Sequence, residues 1–499
     1  MRLFVKLNGL IGLVALAAAC GGVASRAAAQ TYQPTWESVD KRPTPEWFTD
    51  AKFGIFIHWG VYSVPGYAPV IPGNLAYAEW YWHQMTEGRD NPKANPIEKG
   101  TWAYHQKVYG ADYDYKNFAP QFKAQLFDPD QWADIFADSG AKYVVLTSKH
   151  HEGFALWPSM EASRDWGRPW NAVEIGPKRD VLGELTDAVR KQGLRMGFYY
   201  SLYEWYNPLW LTDKPKYVND HMIPQLKDLI TRYKPSILFT DGEWELPSSE
   251  WRSPEILAWM FNDSPVKDEI VVNDRWGKET RHLHGGYWTT EYTAGMSGIA
   301  HPWEESRGMG YSYGYNRDES LKDYHTGREL VLMLVDIVSR GGNLLLDIGP
   351  KADGTIPVIM QDRLHQMGDW LGVNGEAIYG TRPWKTTRQW TAGEVPTFQY
   401  NERFSTAYDV SKLAGAPEAG KAAIEAFFTA KGDDVYAILP RWPGSRFVLQ
   451  DVTGGKRVEL LGGEGTVTFK AAGKDTVVEL PRLPNELLHQ PAWVLKVSR

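Results

Sequence analysis

Cysteine is almost missing from this chain. There is one among 499 residues, Cys20, and it falls inside an N-terminal segment that reads as an export signal. A mature domain without cysteine has no disulfide to lean on, so its fold must rest on buried apolar surface. Long apolar runs are also scarce. Leu10 to Ala19 is apolar but too short to span a membrane, and no later run qualifies. Positive charge is not in excess: the net charge is −7 and the pI is about 6.0, so nothing marks a nucleic-acid partner. No phosphate-cradling glycine loop follows the first predicted strand, which argues against a dinucleotide fold. There is no H-E-x-x-H and no internal repeat.

Aromatic residues, by contrast, are abundant, with 23 Trp and 26 Tyr. Flat apolar faces with a polar edge suit stacking on sugar rings, and they also fill large cores. Residues 1–29 have the layout of a signal peptide. Arg2 and Lys6 give a basic start, and Ala27-Ala28-Ala29 before Gln30 fits an A-x-A cleavage site. Ala17-Ala18-Ala19-Cys20-Gly21 offers a competing lipoprotein-type site with a lipid anchor at Cys20, although Ala17 stands where Leu is usual. Both alternatives predict an exported protein, periplasmic or secreted.

From about residue 50 to 375, short apolar runs alternate with helical patterns, the βα rhythm of a parallel sheet or barrel. Predicted strands cover 53–59, 143–147, 195–200, 237–241, 270–273, 287–290 and 344–348. Predicted helices cover 132–138, 181–191, 223–233 and 325–338, with another opening at Pro254. The count approaches eight strands, and a (β/α)8-like barrel is the simplest closure. Residues 61–128 form a connection rich in Trp, Tyr, Pro and Gly, of a length that usually carries function. After about residue 385 short strands follow one another between Gly, Asp and Pro turns, the pattern of an all-β sandwich. The expected organisation is a signal peptide (1–29), a barrel (30–385) and a C-terminal β-sandwich (386–499).

Polar residues recur where predicted strands end: His58, His150 and His151, Tyr199, Asp241, Arg275 and Glu291. Any one alone reads as a structural group, but a barrel mouth would gather all of them. The run from Ile237 to Thr240 is apolar and ends abruptly at Asp241, followed by Gly242, Glu243 and Trp244. Three chemistries compete for such a site. A metal centre needs three or four converging ligands, and adjacent histidines on an extended segment point opposite ways. A Ser–His–Asp nucleophile needs a G-x-S-x-G elbow, and the chain is read as lacking one. Glycoside hydrolysis needs two carboxylates flanking a bond, with aromatic and hydrogen-bonding contacts to the sugar. The residues supply that set without metal or cofactor.

Five ordered motifs carry a resemblance: Phe53 to Gly60, Ser148 to Phe154, Thr240 to Trp244, Asn273 to Gly277, and Gly341 to Pro350. Together they resemble the α-L-fucosidases of glycoside hydrolase family 29. The resemblance runs from about residue 45 to the C-terminus. It implies a barrel plus a β-sandwich and hydrolysis of terminal α-L-fucose on fucosylated glycans with retained configuration. By position, Asp241 resembles the family nucleophile. His58, Glu79, Trp80, His150, His151, Tyr199 and Arg275 resemble fucose-binding groups. Phe239 departs from a more usual Trp, and Asp347 from a more usual Asn. The Asp-Gly-Glu-Trp form resembles the broad-specificity branch. For the acid/base, Glu291 ends a strand-like run as Asp241 does and is preferred to Glu304, with Glu243 a weaker candidate. A fucose-binding lectin on an inactive scaffold is the rival from another class.

Overall fold

The computed structural model describes residues 31–397, 408–464 and 467–499. The expected export segment and Cys20 lie outside the described residues. Among the described residues no helix is long and apolar enough to cross a membrane.

Eight parallel strands form the first unit: β1 Phe53–Ile57, β2 Tyr143–Lys149, β3 Arg195–Ser201, β4 Ile237–Asp241, β5 Val271–Val272, β6 Trp288–Glu291, β7 Trp303–Gly308 and β8 Asn343–Ile348. Their order is β5-β4-β3-β2-β1-β8-β7-β6. The two ends of this sheet meet where the Val272 carbonyl accepts from the amides of Gly286 and Tyr287, just ahead of β6. The result is a (β/α)8-like barrel. Strands β1, β2, β4 and β8 are buried along their whole length, as expected when side chains fill the inside and helices cover the outside. The helices Val181–Lys191 and Ile223–Tyr233 match the sequence pattern at both ends. Asp180 caps the first of them through the Gly183 amide.

Two departures from the sequence expectation matter for the site. β7 went unread because its sequence, Trp-Glu-Glu-Ser-Arg-Gly, is polar, although five of its six residues are buried. Residues 61–128 are not one loop. They hold helices Tyr81–Gly88 and Pro96–Val108 and several short 3-10 turns, and they fold over the barrel mouth.

The second unit has a five-stranded antiparallel sheet, ordered β13-β16-β11-β10-β9, and a three-stranded sheet, β12-β15-β14. These strands are β9 Arg382–Trp390, β10 Ile424–Lys431, β11 Asp434–Leu439, β12 Arg446–Leu449, β13 Arg457–Leu460, β14 Thr468–Ala472, β15 Asp475–Glu479 and β16 Trp493–Ser498. Side chains alternate along β11 and β16. Ala437, Leu439, Leu495 and Val497 fill the sandwich core, whereas Tyr436, Ile438 and Val494 join the core of the barrel unit. The five-stranded sheet thus serves two cores. A buried ion cluster pins the junction: Asp336, in helix Gly327–Ser339, accepts from Arg340, from Arg388 of β9 and from Tyr408.

Candidate active site

The C-terminal ends of the barrel strands open into a pocket of about 810 Å³. Asp241 is the last residue of β4, delivered to that mouth by a buried apolar strand. The chain then turns away through Gly242 at φ +75°, where a Cβ would stand 2.5 Å from the Tyr203 ring. Glycine is required for that turn. Asp241 Oδ1 accepts from Arg275 Nη1 at 2.7 Å, and Oδ2 accepts from the Tyr199 hydroxyl at 2.8 Å. His151 Nε2 lies 3.5 Å from Oδ2 and Arg281 Nη2 3.9 Å from Oδ1. Burial opposes ionisation, but Arg275, then His151 and Arg281, outweigh it and hold the carboxyl at about 2. Asp241 is therefore a carboxylate at neutral pH.

Arg275 is the hub. It follows β5, and its other terminal nitrogen donates to Glu291 Oε2 at 3.0 Å. Its Nε donates to Thr289 Oγ1 at 3.0 Å, and Thr289 in turn donates to Asp274 at 2.7 Å. The guanidinium also lies 4.9 Å from the centre of the Phe239 ring. Its orientation is thus fixed on three sides. Glu291, at the end of β6, takes a second hydrogen bond from the Tyr77 hydroxyl at 2.9 Å. One guanidinium and two phenols, Tyr199 and Tyr77, together set the two mouth carboxylates.

The remaining wall is aromatic and imidazole. His58, just past β1, stacks on Tyr313 with ring centres 4.8 Å apart. His150 stacks on Tyr199 at 5.3 Å. Burial drives His58 down to about 3 and His150 well below its ordinary value, so both are neutral hydrogen-bonding rings. Glu79 reaches the pocket from the 61–128 segment and accepts from the Gly314 amide at 2.9 Å. Burial raises its carboxyl to about 8, against the pull of that amide. Trp80 lines the wall beside it, and Trp244 stands 37 % exposed at the entrance. Among the described residues no group of three or more His, Cys, Asp or Glu is placed to hold a metal ion.

This wall of aromatic faces, neutral imidazoles and two bridged carboxylates has the chemistry of a sugar site. The alpha-L-fucosidase family model matches residues 20–376, and the model of the alpha-L-fucosidase C-terminal domain matches residues 421–498. The chain belongs to the alpha-L-fucosidase family. It is a glycoside hydrolase. It is similar to an alpha-L-fucosidase of Dictyostelium discoideum, 46 % identical over 71 % of this chain and 76 % of that protein. It is also similar to the tissue alpha-L-fucosidase of Homo sapiens, 39 % identical over 94 % of this chain and 92 % of that one. Among solved structures, the Thermotoga maritima alpha-fucosidase aligns with a TM-score of 0.73 at 35 % identity, covering 93 % of this chain and all of that one.

Against this fucosidase frame, the residues singled out from sequence separate into three groups. Asp241, Glu291, His58, Glu79, Trp80, His150, Tyr199 and Arg275 all line the one pocket. His151 stands behind the wall, 1 % exposed, with Nδ1 2.6 Å from Ser201 Oγ and Nε2 toward Asp241. Glu304 is elsewhere. In the strand register it pairs with Thr289, whereas Glu291 pairs with Ser306. It therefore sits two residues, about 7 Å, below the Glu291 level. There it accepts from the Tyr143 hydroxyl at the start of β2. Burial raises it to about 8, with Tyr143 and Tyr287 pulling the other way. Glu243, the weaker candidate, also lines the pocket and pairs with Arg281 at 2.5 Å beside Asp241.

Sequence reasoning missed Tyr77, Tyr313 and Arg281. The first comes from the overlying segment and the second from the loop after the unread β7, so neither had a strand end to mark it. A G-x-S-x-G spelling does occur, Gly310-Tyr311-Ser312-Tyr313-Gly314. It is a loop after β7 and not an elbow into a helix. Ser312 Oγ lies 2.7 Å from the Gly314 carbonyl and accepts from the Ala78 amide, so it ties loops together.

Proposed function

We propose that this protein is an exported, exo-acting α-L-fucosidase that cleaves terminal fucose with retention through a glycosyl-enzyme. One observation carries the reading: Arg275 hydrogen-bonds Asp241 and Glu291 at once, across a single pocket. Two carboxylates within reach of one guanidinium support the short separation of about 5–5.5 Å used by retaining pairs, against about 6.5–9.5 Å for inverting ones. Ionised Asp241 attacks the anomeric carbon as the bond to the leaving oxygen breaks, and Glu291 supplies the proton to that oxygen. Esterification then removes the Asp241 charge and leaves Arg275 to Glu291 alone. Glu291 then takes a proton from the water that cleaves the ester. Glu291 is the reading over Glu304 because Glu304 is buried below the pocket. The Thermotoga maritima alpha-fucosidase, solved in complex with fucose, aligns over 93 % of this chain with a TM-score of 0.71 at 34 % identity, which supports fucose as the sugar.

The test is a trapping experiment joined to product NMR. A 2-fluoro-fucosyl fluoride should label Asp241, and the first sugar released from an aryl α-L-fucoside should be α-fucose. A label on another carboxylate, or β-fucose as first product, would overturn the two-step reading. No release of fucose at all would favour a lectin.

A further inference from the structure

His58 is held from β8, the strand on one side of β1. Its amide donates to the Ile348 carbonyl of β8 at 3.1 Å. Its Nδ1 lies 2.6 Å from Oδ1 of Asp347, also on β8. Asp347 is 1 % exposed, and among the described residues no lysine or arginine comes within salt-bridge distance of it; His58 is its one basic neighbour. Its Oδ2 is buried without a hydrogen-bond partner. A carboxylate anion with one oxygen stranded in the barrel interior would be costly, whereas a neutral acid leaves only a carbonyl-type oxygen unpaired. Burial, with Glu79 and Glu319 nearby, pushes the Asp347 carboxyl well above its ordinary value, and burial pushes His58 down. Both groups lean to their neutral forms. With the acid proton on Oδ1 facing Nδ1, the ring must carry its own proton on Nε2, the nitrogen left for the pocket.

We infer that Asp347 is a positioning residue that, as a neutral carboxylic acid donating to His58 Nδ1, locks the Nε2–H tautomer and makes His58 a hydrogen-bond donor to a hydroxyl oxygen of the bound sugar. The inference rests on the fucosidase reading for the identity of the sugar, but not for the tautomer. Stacking on Tyr313 and edge contacts with Phe56, Tyr199 and His150 hold the ring plane. Asp347 therefore decides which nitrogen bears the proton, and the aromatic neighbours decide where it points.

The experiment uses protein labelled with ¹⁵N-histidine, with His58 assigned by its loss in His58→Gln. Two-bond proton–nitrogen correlation then reads its tautomer, and calorimetry reads L-fucose affinity. The wild-type protein should show Nε2 proton-bearing and Nδ1 bare. Asp347→Leu, which cannot donate, should give mixed tautomers and lose about threefold to tenfold in L-fucose affinity, the worth of one hydrogen bond. Asp347→Asn, whose amide N–H can still donate to Nδ1, should restore the Nε2–H form and affinity within about twofold of wild type. A wild-type His58 with its proton on Nδ1, or an Asp347→Asn variant as weak as Asp347→Leu, would overturn the inference. Should Asp347→Leu not fold, the wild-type spectrum and the Asn variant still decide. Wild-type protein that binds no L-fucose but shows the Nε2–H tautomer would break the fucosidase reading and the donor role toward a sugar, leaving the tautomer lock standing.

Discussion

The two ends of the barrel treat the same kind of side chain in opposite ways. At the mouth, Asp241 meets Arg275, His151 and Arg281 and stays ionised down to about 2. At the closed end, Glu304 meets phenols and apolar strands, and burial lifts it to about 8. Gly54 makes the lower arrangement feasible: a Cβ there would stand 2.2 Å from the Tyr143 ring, which lies across the barrel toward Glu304. The contrast teaches that the height of a carboxyl along a strand, more than its sequence neighbours, sets its chemistry. Trp288-Thr289-Thr290-Glu291 and Trp303-Glu304 look alike as text. In the fold, one places its acid beside a guanidinium and the other beneath it.

The largest expected effect removes the mouth carboxylates. Asp241→Ala should cut turnover by about 10⁴-fold or more, since no other group can form the ester. Glu291→Ala should cost about 10²–10⁴-fold on a natural fucoside. It should cost far less on a 4-nitrophenyl fucoside, and azide should restore turnover to give α-fucosyl azide. Glu304→Gln should remain within a few-fold of wild type and show no azide rescue. Steady-state rates on both substrates test the set, and azide rescue of Glu304→Gln instead of Glu291→Ala would move the acid/base to the closed end.

A smaller effect should follow from Arg275→Met, which makes the mouth resemble the floor. Without the cation the Asp241 pKa rises, so the acid limb of kcat/KM should move to higher pH, on top of a loss in rate. An unmoved acid limb would mean that Arg275 does not hold Asp241 in its low state.

The smallest effect is on stability. The folded Glu304 pKa of about 8 lies above an unfolded value of about 4.3. Its contribution is thus fully present below about pH 4.3 and is lost as pH rises toward about 8. Glu304→Gln should flatten that decline, so the variant gains on wild type from about pH 5 to about pH 8 in denaturant melts. Parallel stability curves would show that Glu304 ionises normally.

Much of this contrast was legible in the sequence, for a physical reason. Strands that start apolar and turn polar only at their C-terminal ends announce both their burial and their functional tip, and β1, β2 and β4 are of that kind. β7 hides because its inward residues, Glu304 and Ser306, are polar while Glu305 points outward to Thr290, Thr293 and Arg307. The period-2 signal has no apolar face to show. Tyr77 and Tyr313 reach the site from irregular segments, where no periodicity fixes direction. The Asp347 contact with His58 needed the β1–β8 register, which pairs Phe56 with Asp347.

The sheet that serves two cores has a consequence for the order of assembly. β16 is the furthest of the strands along the sequence, yet it sits between β13 and β11. The β10-β11 hairpin can form early from neighbouring segments, but its free edge must wait for β16 to arrive from more than fifty residues downstream. Until it does, Phe427, Tyr436 and Ile438 have only part of the surface that shields them. Contacts of such long sequence separation slow folding and leave an open edge in the meantime. The sandwich is therefore a latch that closes late. Helper proteins that bind exposed strands would find their target in that interval.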